Sequence, residues 1–173
     1  FSPHRNCYIA TPLTGSGTLQ LNVPYLREYL KGDNFSAFAG RLVANGISSE
    51  KEGSLFLLND NSVNFKNSVV ELAGNARMGI WATKGNAIIG GLSGASTTYL
   101  SGSSKKTKDF ECIWNIGTAN TDETFAGRIN NWSMSGSSSK YQGTVNINKQ
   151  GTGYWRLTGD NDYKGVTNVQ AVS

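Results

Sequence analysis

The chain is short of the residues on which nucleophilic, redox and metal chemistry depend. Among 173 residues it has one histidine, two cysteines and three prolines. A Ser-His-Asp or Cys-His mechanism would have to use His4, in FSPHRN, and nothing puts it beside Cys112 or a serine. Cys7 and Cys112 lack CxxC spacing, so neither a dithiol redox motif nor a cysteine-based zinc site is expected. They either pair with each other or serve as small buried hydrophobes. No apolar run is long enough to cross a bilayer as a helix. Charged residues are only 16% of the chain and the net charge is +4. The one basic cluster, Lys105, Lys106 and Lys108 in SGSSKKTKDF, reads as a solvated loop, without a nucleic-acid module around it. GNAIIGGLSG (85–94) is glycine-rich but lacks the Gly-Lys-Ser/Thr ending of a phosphate loop.

What the chain has is glycine, 21 of them, with many Asn, Ser and Thr. That composition suits short strands joined by turns. Strict alternation recurs. Leu19, Leu21 and Val23 oppose Gln20 and Asn22; Val145 and Ile147 oppose Asn146 and Asn148; Trp155 and Leu157 oppose Tyr154 and Arg156. The same phase puts Trp114 inward with Cys112 and Ile116. It leaves Trp81 outward between Ile80 and Ala82. Only VPYLREYLKG (23–32) has room for a helical turn, and Pro24 makes it read equally well as extended.

Four segments repeat a polar turn, an aromatic, any residue, a glycine and a strand: GDNFSAFAGRLVA, TANTDETFAGRINNW, SGSSSKYQGTVNIN and TGDNDYKGVTNVQ. Their aromatics are Phe38, Phe125, Tyr141 and Tyr163; their glycines are Gly40, Gly127, Gly143 and Gly165. At roughly twenty residues per coil, the repeats predict an all-β chain, a parallel β-helix (solenoid) of about eight coils over residues 1–173 as one domain. The alternative is an antiparallel β-sandwich, which tight Asn-Gly hairpins would favour; Asn45-Gly46 is the one such dipeptide.

The stretch KQGTGYWRLTGDNDYKGVTNVQA (149–171) resembles the passenger-associated repeat of bacterial autotransporters, through Lys149, Gly151, Gly153, Trp155, Leu157, Gly159, Asn161, Tyr163, Gly165, Thr167 and Val169. WNIGTANTDETFAG (114–127) looks like a weaker copy. The resemblance implies a right-handed parallel β-helix exported from a bacterial cell, secreted or at the cell surface. No translocator barrel follows, so the chain reads as a domain excised from a larger secreted protein. Such segments look like the β-helical accessory modules of secreted polysaccharide-degrading enzymes, an analogy at fold level.

Twelve carboxylates offer Asp160/Asp162, Asp122/Glu123 and Glu50/Glu52 as neighbours for glycoside hydrolysis or lyase chemistry. All lie in turn-like stretches, where a carboxylate caps the turn. GDND (159–162) and NDN (59–61) carry oxygen ligands for a structural calcium but lack the full loop spacing, so no cofactor is expected. Attention therefore passes to surface. Aligning the repeats on their glycines predicts one outward face: Arg128, Asn130 and Trp132; Thr144, Asn146 and Asn148; Val166, Asn168 and Gln170, with Arg41 from the Phe38 copy. Amides and guanidinium groups suit sugar hydroxyls, and a ring suits a sugar's C–H face. The expected carbohydrate-binding residues are Trp81, Arg128, Asn130, Trp132, Asn146, Tyr154 and Arg156. The expected function is a non-catalytic carbohydrate-binding module that holds a covalently linked catalytic domain to a plant cell-wall polysaccharide such as xylan, with no nucleic acid and no membrane insertion. The alternatives are a structural or adhesive passenger segment, whose Asn ladders satisfy one another, and a small polysaccharide lyase.

Overall fold

A computed structural model describes residues 11–27, 34–49, 54–103, 108–132 and 142–170. No helix occurs among them. The strands are β1 (Thr18–Val23), β2 (Tyr25–Arg27), β3 (Arg41–Gly46), β4 (Ser54–Leu58), β5 (Ser62–Gly74), β6 (Ala76–Ile80), β7 (Lys84–Gly94), β8 (Tyr99–Ser103), β9 (Glu111–Ile116), β10 (Glu123–Phe125), β11 (Arg128–Ile129), β12 (Thr144–Lys149), β13 (Trp155–Leu157) and β14 (Thr167–Val169). Every pairing between these strands is parallel. The antiparallel sandwich is thereby corrected: the connections carry the chain around to the next parallel rung and do not turn it back as a hairpin. Asn45-Gly46, the hairpin candidate, ends β3 in register with Ala73 and Gly74.

Two sheets form, one of nine strands and one of five, ordered β11-β8-β6-β4-β2. The large sheet holds two ladders. Register shifts in β5 between Phe65 and Val69 separate them. One ladder runs through β1, β3, the C-terminal halves of β5 and β7, then β10 and β13. The other runs through the N-terminal halves of β5 and β7, then β9, β12 and β14. From β3 onward the chain visits the first ladder, the five-stranded sheet and the second ladder in a fixed cycle as far as β12. The first ladder has six rungs, so eight coils are not reached among the described residues.

The core lies where the three ladders face one another. Leu21, Ala44, Leu72, Gly94, Phe125 and Leu157 are matched rung by rung. Period-two alternation puts every such residue on one side; Leu21, Ala44, Leu72 and Phe125 are buried, and Leu157 is partly buried at the last rung. Trp114 and Cys112 are fully buried, and the Trp114 indole N–H donates to the Ser101 carbonyl at 3.0 Å. Trp155 is half-buried against the core, its indole N–H on the Leu92 carbonyl at 2.9 Å.

The aromatic-x-glycine unit has a steric origin. A Cβ on Gly127 would meet the Phe125 ring and the Thr98 carbonyl oxygen, each at 2.6 Å. A Cβ on Gly40 would meet the Phe38 ring at 2.5 Å and the Gly17 oxygen at 2.0 Å. Glycine therefore lets a ring fold back over the chain while the backbone rests on the rung below. Gly143 is covered by the Phe110 ring instead. Tyr141 lies outside the described residues, as do Cys7, His4, Lys105, Lys106, Glu50 and Glu52.

Candidate functional site

The repeats do not align on one face. β11, after Gly127, belongs to the five-stranded sheet; β12 and β14, after Gly143 and Gly165, belong to the large one. The same aromatic-glycine device serves different corners, so matching glycines does not match rungs. Winding lengths also vary: Asp122 contacts Tyr154 32 residues on, whereas Asn146 contacts Val166 20 residues on.

The expected residues accordingly fall into separate groups. Arg128 and Trp132 come together on the five-stranded sheet, with the guanidinium carbon 5.5 Å from the Trp132 ring centroid. Asn130 does not face outward. It is 1% exposed, its N–H donates to the Leu100 carbonyl, and its Oδ1 accepts the Trp132 N–H. β11 ends at Ile129, and beyond it the alternation breaks, so the amide turns inward. Trp81 follows β6 and is 36% exposed, while Met78 and Ile80 are buried.

Asn146 is on the large sheet, where its amide is already bonded. It donates to Glu111 at 3.3 Å and accepts from the Val166 N–H at 3.0 Å. Asn148 donates to Asn115, which donates to Asn86. This ladder consumes the amides that the alignment assigned to a ligand. Tyr154 (80% exposed) and Arg156 are on β13's rung of the first ladder, apart from the other two groups.

Two partners of Arg128 escaped the sequence reading. The register matches Tyr25, Leu55, Arg77, Tyr99 and Arg128 across all five strands. The neighbouring column of Phe56, Met78, Leu100 and Ile129 is buried, so the first column faces away from the core. Arg77 stands 4.6 Å over the Tyr99 ring. Asp162 takes two hydrogen bonds from Arg128, at 2.7 and 3.1 Å, and these hold the guanidinium still more firmly protonated. Leu55 and Leu57 are buried in a separate apolar cluster with Tyr25, outside the main core. Rungs about 4.8 Å apart make the Arg77, Tyr99 and Arg128 end of this column a stripe in which guanidinium groups flank a ring. Its signal in the sequence was spacing alone, legible only with the winding length in hand.

Asp122, Glu123 and Asp162 of the paired carboxylates have structural partners. Asp122 caps the Tyr154 N–H at 2.7 Å; Asp60 caps the N–H groups of Asn61 and Asn86 at 2.9 Å. Arg41 bonds Glu71, Ser93 and Glu123 together. Asn161 of GDND caps the Ile129 N–H at 2.8 Å. No group of three His, Cys, Asp or Glu placed to hold a metal occurs among the described residues. Burial, then the nearby Asp60 carboxylate, push the Cys112 thiol up to about 12.

The residues of the C-terminal repeat also have local duties. Lys149 donates to the Gly151 carbonyl at 3.0 Å, and Gly151 has φ 69°. The Tyr163 hydroxyl meets Thr167 Oγ1. No family model matches the chain, and no curated protein matches it.

Proposed function

We propose that the chain is a right-handed parallel β-helix of a secreted protein that binds a neutral plant cell-wall polysaccharide such as xylan without cleaving it. The observation that carries this reading is the in-register stripe of Tyr25, Leu55, Arg77, Tyr99 and Arg128, extended by Trp132. Rings offer faces for sugar C–H groups, and guanidinium groups offer hydroxyls several donors each. A repeating stripe suits a repeating ligand. The bonding of Asp122, Glu123 and Asp162 to other groups favours binding over hydrolysis or lyase chemistry. Attachment of a linked catalytic domain would raise its local substrate concentration.

A second reading, a structural or adhesive passenger segment, is favoured by the self-satisfied Asn86–Asn115–Asn148 ladder and by Val166 and Val169, exposed on and before the last strand. A glycan microarray on the isolated chain, followed by a reducing-sugar assay on each bound glycan, separates the readings. Retention of one neutral polysaccharide class without product release is the expected result. Product release would make it an enzyme, and an empty array with self-association would favour the passenger segment.

A further inference from the structure

Beside the stripe lies a cleft of about 490 Å³ between the five-stranded sheet and the second ladder. Its polar wall is Asp109, Glu111, Asn131, Gln142, Thr144 and Lys164. The backbone joins it to the stripe, because Trp132 follows Asn131 and bridges to Gln142. The volume is within the range of roughly 300–1,000 Å³ typical of small-ligand sites.

Asn131 makes the cleft more than a dent. The residue is 3% exposed, and among the described residues its side chain makes one bond, a long 3.5 Å contact from Nδ2 to Gln142 Oε1. No described residue donates to its Oδ1. A buried amide whose bond is this long can exchange it for a shorter one to a hydrogen-bonding ligand.

The wall also limits the ligand's chemistry. Carboxylates at Asp109 and Glu111 only accept hydrogen bonds, the Lys164 ammonium only donates, and Asn131, Gln142 and Thr144 do both. Hydroxyl groups, which donate and accept, can meet every one of these. A uronate carboxylate would suit Lys164 alone and oppose two like charges, whereas an organic cation would oppose Lys164 and find Glu111 already bonded to Asn146.

We propose that this cleft is a sugar subsite taking one neutral, polyhydroxylated unit of the glycan, an end or a side branch, whose chain continues along the stripe. The inference rests on the glycan-binding reading and adds the position and charge class of the unit recognised.

The test is calorimetric titration of the whole chain with xylohexaose and with an oligogalacturonate, for wild type and for Gln142→Ala, Thr144→Ala and Arg128→Ala. Circular-dichroism melts verify that each variant folds. Expected are binding of xylohexaose, weaker binding of the uronate, and a loss of about tenfold in affinity for Gln142→Ala, the equivalent of roughly one good hydrogen bond. Full affinity in both Gln142→Ala and Thr144→Ala, with loss in Arg128→Ala, would overturn the subsite and leave the stripe. Loss in the cleft variants but not in Arg128→Ala would uphold the subsite and remove the stripe. Tighter binding of the uronate would overturn the neutral assignment, and no binding of either sugar would overturn both.

Discussion

Arg41 offers a measurement of long-range register. Its guanidinium reaches Glu71 at 3.1 Å, Ser93 at 3.0 Å and Glu123 at 3.0 Å, the last 82 positions away in sequence. It crosses the rung occupied by Gly91, where an added Cβ would stand 3.2 Å from the Glu123 side chain. Exposed pairs contribute about 0–1 kcal/mol, and removing one partner of a buried pair costs about 3–5 kcal/mol. The Arg41 and Glu71 side chains are 35% and 38% exposed, but that of Glu123 is only 7% exposed. Arg41→Met should therefore cost about 2 kcal/mol, most of it the carboxylate left buried at Glu123. Glu123→Gln should recover about 1 kcal/mol in the Arg41→Met background while destabilising the wild type, giving a coupling energy near 1–2 kcal/mol. Urea unfolding of the four proteins, with m-values compared, reads this directly. A cost below about 0.5 kcal/mol, additive with Glu123→Gln, would mean that these rungs are not stacked in this register.

Gly127→Ala should destabilise by about 1–3 kcal/mol, because the new Cβ meets the Thr98 oxygen as well as the Phe125 ring; a thermal melt measures it. The Cys112 thiol, raised to about 12 from 9.0, should make alkaline stability fall. Below about pH 9 it is protonated in both folded and unfolded chains; above that the unfolded chain releases a proton that the fold retains, a loss approaching 1.4 kcal/mol per pH unit. Melts of wild type and Cys112→Ala between pH 8 and 11 should show the steeper decline in wild type. Tyr154→Ala, at a site 80% exposed, should change stability by less than about 0.5 kcal/mol and leave glycan retention intact, as denaturation and affinity gels would report.

The strands were legible because alternation is local. Leu21 and Val23, Cys112 and Trp114, and Val145 and Ile147 all face the core as their phase required. The turn–aromatic–glycine unit was legible too, since steric need at a tight corner leaves a local mark at Phe125 and Gly127. Which corner each copy occupies was not legible. Gly127 and Gly143 precede strands of different sheets, and the sequence spacing between paired rungs varies from 20 (Ile147 to Thr167) to 33 (Glu111 to Thr144). That variation dispersed the proposed face: Asn146 bonds Glu111 and Val166, Asn148 joined an amide ladder, and Asn130 turned inward where β11 stops short. The pairing of Arg77 with Tyr99, and of Arg128 with Asp162, depends on the same non-local spacing.

Affinity electrophoresis through xylan gels, comparing wild type with Arg128→Ala and Trp132→Ala, bears most directly on glycan binding at the five-stranded sheet. Retardation of wild type, lost in both variants and kept in Tyr154→Ala, is the expected result. Equal mobility of wild type with and without xylan, or undiminished retardation of both variants, would contradict it.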